Sequence, residues 1–201
     1  MLLQKRKEST EDSQVKLVAY TIILYISSLF VPFIVVASYQ SMVYYSRNQW
    51  FFTTPLSAYI TFAAGMLIIA FALTVYLIFR QRSNGSGLKW VTWVLILGSI
   101  PVFVMSLTNY YFFDEKGIHY NSLTKIREED YEWDKIKKIH IVYRNHQGTT
   151  SILQYQFESR NGREITIPFN DKLSENKWRV EKMVKENNIL VTDNFKNPIT
   201  D

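Results

Sequence analysis

Leu88–Thr108 reads LKWVTWVLILGSIPVFVMSLT. Beyond Lys89 it carries no charge, over about the 20 residues a helix needs to cross a hydrocarbon layer near 30 Å thick. It is the last of three long apolar runs, after Leu17–Ser38 and Leu56–Phe79, and it hands the chain to a region whose hydrophobic period drops to two. The stretch therefore predicts a membrane protein with three transmembrane α-helices, at about 17–38, 56–79 and 88–108, followed by an α+β domain. Residues 1–16 are expected to form a mobile basic tail.

Charge is segregated along the chain. Residues 1–109 hold eight basic and three acidic side chains, whereas 110–201 hold fifteen of each. Glu11 and Asp12 are followed by no acidic residue until Asp114, while Lys16, Arg47, Arg80, Arg82 and Lys89 fall in that interval. The basic excess thus flanks the apolar runs, where it sets orientation, and it argues against nucleic acid as a partner. Three spans place Lys5, Arg6, Lys7, Lys16, Arg80, Arg82 and Lys89 on one side against Arg47 on the other. The basic side is expected to be cytoplasmic, which sends the C-terminal domain to the outside of the cell membrane. Leu17–Ser38 exceeds the roughly 7–15 residues of a signal-peptide core and is read as an anchor.

Within the first span, Pro32 predicts a kink near Ser28. The following loop, Tyr39–Pro55, is crowded with aromatic rings and is expected to lie along the headgroups, with Trp50 as an interfacial anchor and Trp90 and Trp93 anchoring the third span. Thr61, Gly65, Ala70 and Thr74 place small side chains on faces of the second span where another helix can approach. Apart from Lys89 at the start of the third span, no charged side chain lies inside any span, so ion or proton transport is not expected. The absence of cysteine excludes disulfides and thiolate chemistry.

From Tyr110 onward, alternation dominates. A turn at Asp114–Gly117 separates two short strands, a third strand falls in Lys125–Trp133, and the runs around Ile139–Tyr143, Leu153–Phe157 and Ile165–Phe169 alternate apolar and polar residues between polar turns. A helix follows between Asn170 and Asn188, with Leu173, Val180, Met183 and Val184 on one face. The pattern is an antiparallel curled sheet or barrel with a C-terminal helix over 110–190, and residues 191–201 are expected to be disordered.

YYFFDEKGIHY, YEWDKIKKI and NGREITIP, followed by the terminal helix, resemble the bacterial pleckstrin-homology domains found behind membrane helices in small bacterial proteins. Trp133-Asp134-Lys135-Ile136 carries most of the likeness. Six strands are counted where that fold has seven. The resemblance implies binding and assembly, with no catalytic residues and no cofactor. The commonest arrangement in such proteins has fewer spans and a cytoplasmic domain, from which the orientation above departs.

Site chemistry is sparse. His119, His140 and His146 lack metal-pair spacing and read as solvated surface residues, and Glu128, Glu129 and Asp130 lack the spaced pattern of a calcium loop. No nucleophile elbow or phosphate loop is present. The expected function is non-enzymatic, with no metal: an integral membrane protein that associates with the bilayer, and with another protein, a peptide or its own copies. A lipid or envelope-polymer binder and an immunity protein against a membrane-active peptide are the alternatives. Following the meander outward places Lys125, Arg144 and His146 at the membrane surface and leaves Arg160 and Arg163 facing a partner.

Overall fold

The computed structural model describes residues 2–80, 86–125 and 127–200. It divides into two units: a helical one, Met1–Tyr45, Thr54–Tyr110 and Asn121–Ile126, and a β-rich one, Ser46–Thr53, Tyr111–Tyr120 and Arg127–Asp201.

The helical unit begins with α1 (Leu2–Ser27), which takes in the residues expected to form a mobile tail, and continues with α2 (Val31–Val43). Gln14–Ser27 and α2 meet at 67°, a broken span or a re-entrant loop. The break is where Pro32 predicts it. Proline cannot donate to the carbonyl four residues back and stands in the first turn of α2, while the Ser28 hydroxyl donates to Tyr25 O at 2.7 Å. Helices α3 (Leu56–Arg80) and α4 (Ser86–Thr108) are each long and apolar enough to cross a membrane. They pack along small residues: a Cβ on Gly65 would stand 2.8 Å from the Phe103 ring, and Ala58, Ala70 and Ala72 are buried.

Polar groups in this unit are tied to backbone. Pro32, Val36 and Gln40 form the buried stripe of α2. Gln40, fully buried, points Nε2 at the carbonyls of Ser106, Leu107 and Asn109 (3.2, 3.2 and 2.8 Å), and its Oε1 accepts from the Thr54 hydroxyl at 2.7 Å. Ser106 O also accepts from Asn109 N–H at 3.3 Å, while the carbonyls of Leu107 and Asn109 come at or just past the end of α4, where the helix supplies no donor, so one amide caps this helix end. Ser106 donates to Ala58 O and Asn109 to Ser57 Oγ, at 2.7 and 2.8 Å.

The β-rich unit holds two sheets. The first has the order β1 (Phe51–Thr53), β2 (Tyr110–Phe113), β3 (Gly117–Asn121) and β4 (Glu129–Glu132). The second runs β7 (Glu164–Pro168), β6 (Thr149–Ser159), β5 (Ile136–His146) and β8 (Leu190–Asp193), with β9 (Ile199–Thr200) also on β5. The chain passes between sheets through a 3₁₀ turn at Trp133–Lys135, and the sheets do not close into a barrel, which corrects one of the two expectations. Their inner faces share one core: Phe113 meets Phe157 and Trp133 edge-on at 6.1 and 6.0 Å.

The six expected strands are β2–β7. Two parts of the sequence reading change. The loop before α3 does not lie wholly along an interface, because Phe51–Thr53 pair antiparallel with Tyr111–Phe113. The tail is not structureless, because β8 and β9 pair in parallel with β5. Between them Asn194 behaves as a substitute strand residue: its Oδ1 accepts from Tyr143 N at 2.6 Å and its Nδ2 donates to Tyr143 O at 3.2 Å. The expected terminal helix is split at Asn176 into α5 (Asp171–Glu175), capped by Asn170, and α6 (Lys177–Glu186). Its expected stripe holds, with Leu173, Val180 and Met183 buried.

Candidate functional site

The site with the most chemistry grows from the β2–β3 turn. Asp114 Oδ1 accepts from the backbone N–H of Lys116 and Gly117, at 2.8 and 2.9 Å, which closes the turn. Gly117 is required there, since a Cβ would strike the Tyr131 carbonyl oxygen and stand 2.9 Å from Glu132 Cα. The Trp133 indole donates to Asp114 O at 3.0 Å and locks the turn to the start of the 3₁₀ segment.

Two residues beyond the turn, His119 sits opposite Asp130 in the β3–β4 register. Its ring stacks on Phe112 at 4.4 Å. Nδ1 lies 2.6 Å from Asp130 Oδ1 and 3.2 Å from Glu128 Oε1, and Nε2 lies 3.2 Å from Asp114 Oδ1. Burial alone would push the imidazole pKa down; hydrogen bonds to Glu128 and Asp130 and the charge of Asp114 outweigh it and lift the value to about 9. At neutral pH the ring is therefore an imidazolium held by three carboxylates, not the solvated surface histidine the sequence suggests. The ligand atoms of His119, Glu128 and Asp130 all lie within 4.8 Å of one another and have the donor set for a metal ion. Such an ion would have to displace the proton that these carboxylates stabilise.

His119 opens onto a groove of about 670 Å³ lined by residues of the β2–β3 turn, β3, β4, the 3₁₀ turn and the end of α6. Five carboxylates face it, from Glu115, Asp130, Glu132, Asp134 and Glu186, against Lys116 and the His119 ring, while Trp133 and Met183 supply an apolar floor. Lys135 bonds Glu132 beside it. A groove of this kind suits a cationic side chain carried on an apolar stem.

The residues named from sequence are dispersed. Arg144 and His146 lie at the far end of β5, opposite Ser151 and Thr149. Arg160 and Arg163 lie in the β6–β7 turn, at the other end of the eleven-residue strand β6, roughly 35 Å away at about 3.3 Å per residue. The two basic turns are thus separate, as expected. Arg163 is engaged locally: its guanidinium lies 5.1 Å from the Tyr131 ring centroid and donates to Asp130 O at 3.3 Å. Lys125 follows β3 in the other unit. Trp90 and Trp93 stand exposed near the start of α4. Trp50 does not stand out as an anchor: it packs edge-on against Phe113 at 5.3 Å and parallel to Trp133 at 6.4 Å, with the Arg179 guanidinium 5.9 Å from its ring.

A family model for the bacterial PH domain matches residues 43–192. The chain belongs to this family. The match starts before α3, so the PH domain takes its first strand, β1, from the loop ahead of the two long helices, and those helices stand as an insertion between β1 and β2. No curated protein and no solved structure matches the chain. The PH domain groove around His119 went unread from sequence because its members lie on separate segments. The signal was the register: once β3 and β4 are a hairpin with Ile118 and Tyr131 inward, His119 and Asp130 must share the outer face.

Proposed function

We propose that the protein is a non-enzymatic integral membrane protein whose PH domain binds a basic peptide or protein segment at the membrane surface. The observation that carries this reading is the groove itself, with five carboxylates around a Trp133–Met183 floor. Against an enzymatic role stands the use of the half-buried His119, which is committed to three carboxylates.

In this reading the helical unit spans three times, with the bent α1–α2 pair as one span. The pairing of β1 with β2 supports an even number of crossings between them, which α3 and α4 supply. The basic excess then places the PH domain outside the cell. Lys172→Cys, on the exposed side of α5, should react with a membrane-impermeant thiol reagent on intact cells, and Ser83→Cys should be protected; the opposite pattern reverses the orientation.

Binding is tested with the full chain in nanodiscs and a fluorescent Lys-Leu-Lys-Lys-Leu-Lys peptide, followed by polarisation. Replacing Glu115, Asp134 and Glu186 together by glutamine should weaken binding roughly tenfold, as expected if each rim charge contributes about 0.5 kcal/mol, and salt should do the same to the parent protein. Equal affinity for the parent and the triple variant would exclude the groove.

A further inference from the structure

We propose that the Lys89 end of the helical unit holds one anionic diacyl phospholipid, with its phosphate on Lys89 and its acyl chains in two grooves beside Trp93. This rests on the membrane-spanning reading above. The first groove, about 290 Å³, runs between Leu17 of α1, Leu73 and Tyr76 of α3, and Thr92, Trp93 and Ile96 of α4. The second, about 410 Å³, runs along α4 beside Trp90, Trp93 and Leu97. Both share Lys89 and Trp93, so two apolar channels diverge from a single cation.

The occupant follows from that shape and charge. Thr92 spends its hydroxyl on Leu88 O at 3.0 Å, so it adds no polarity to the first groove. Arg80 lies with its guanidinium 5.8 Å from the ring centroid of Tyr76, which lines the same groove, and places a second cation beyond that ring. Helices α3 and α4 carry no carboxylate, so the two helices that bear these cations offer them no acidic partner of their own. In a bilayer the anion at this depth is a lipid phosphate, and basic pockets between helices recognise such headgroups. A zwitterionic lipid would bring its own ammonium up to Lys89, and a single-chain amphiphile would fill only one groove.

The test uses the full chain in nanodiscs of mixed phosphatidylcholine and phosphatidylglycerol with identical acyl chains, with retained lipid read by native mass spectrometry. The parent should keep one phosphatidylglycerol, preferred roughly fivefold over phosphatidylcholine if Lys89 contributes about 1 kcal/mol. Lys89→Glu should bring the preference to parity, Thr92→Trp should lower retention by filling the first groove, and lysophosphatidylglycerol should be held several-fold less well. Parity in the parent, or an unchanged preference in both variants, overturns the proposal. A chain that enters nanodiscs yet shows parity loses only this lipid site, whereas one that fails to enter contradicts the spanning reading as well.

Discussion

The helical unit and the PH domain each contain a polar knot, and the two are built on opposite principles. Around Gln40 the partners are neutral: one amide bonds the carbonyls of Ser106, Leu107 and Asn109 and the hydroxyl of Thr54. Around His119 the partners are carboxylates of Asp114, Glu128 and Asp130, and the ring carries the balancing proton. Where no water reaches, a charge costs several kcal/mol to bury while an unmade hydrogen bond to backbone costs about 1–3, so a neutral, fully paired side chain is the cheaper knot. At the surface of the PH domain, water screens part of each charge, and an ion cluster is tolerated. The comparison predicts that the first knot is indifferent to pH and salt and the second is governed by both.

The largest effect is expected from breaking the neutral knot. Gln40→Leu keeps the volume and takes the amide from the Leu107 and Asn109 carbonyls and the Thr54 hydroxyl, while Ser106 O keeps the Asn109 N–H. Aqueous-protein values for such losses would sum to more than about 4 kcal/mol, but hydrogen bonds between membrane helices average nearer 0.6, so a loss of about 2–4 kcal/mol is expected. Thermal unfolding of the detergent-solubilised chain should show it, and the loss should be constant between pH 6 and pH 9.5. A loss that varies with pH would mean that a titrating group shares the knot and would collapse the contrast.

How much of this was legible in the sequence differs between the two regions for physical reasons. Long apolar helices announce themselves, because twenty residues of one character leave little else to be, and α3 and α4 fall within two residues of their expected limits. The six meander strands were legible because alternation repeats over each of them. Strand β1 was not: three residues cannot display a period, and its partner Phe113 lies 62 positions on, so Phe51 and Phe52 looked like interfacial aromatics. Gln40 is hidden because Tyr39–Pro55 reads as a loop from its aromatic crowding, although α2 runs on to Val43. Strand β8 presents Leu190 and Val191 exposed, without the buried alternate positions that mark a strand from sequence.

A smaller effect tests the charged knot. His119 titrates near 9 in the folded protein against an ordinary 6.5, so its contribution is complete below about pH 6.5 and is lost as pH rises through 9. The shift alone sets a ceiling near 3 kcal/mol; with Asp130 more than half exposed, about 1–2 is expected. The melting temperature of the parent should fall between pH 6.5 and pH 9.5, and His119→Gln should flatten that slope. An equal slope in the variant would assign the dependence to other groups.

The smallest expected effect sharpens the comparison at the edge of the charged knot, where Arg163 lies over Tyr131 and donates to Asp130 O. Arg163 is exposed, so its stacking contributes about 0.5–1 kcal/mol and its bond to a carbonyl at 3.3 Å little more. If the knot is held by charge, removing this neighbouring cation should leave His119 more strongly protonated, because one positive charge that repels the imidazolium is gone. Arg163→Ala should therefore lower the melting temperature at neutral pH by about 2–4 °C, and should move the alkaline limb of the stability curve to slightly higher pH. A lower melting temperature with an unmoved limb would make Arg163 a packing residue on Tyr131 alone. A limb moved to lower pH would mean that Arg163 orients Asp130 toward the imidazole through the backbone, and that geometry rather than net charge sets how tightly the proton is held.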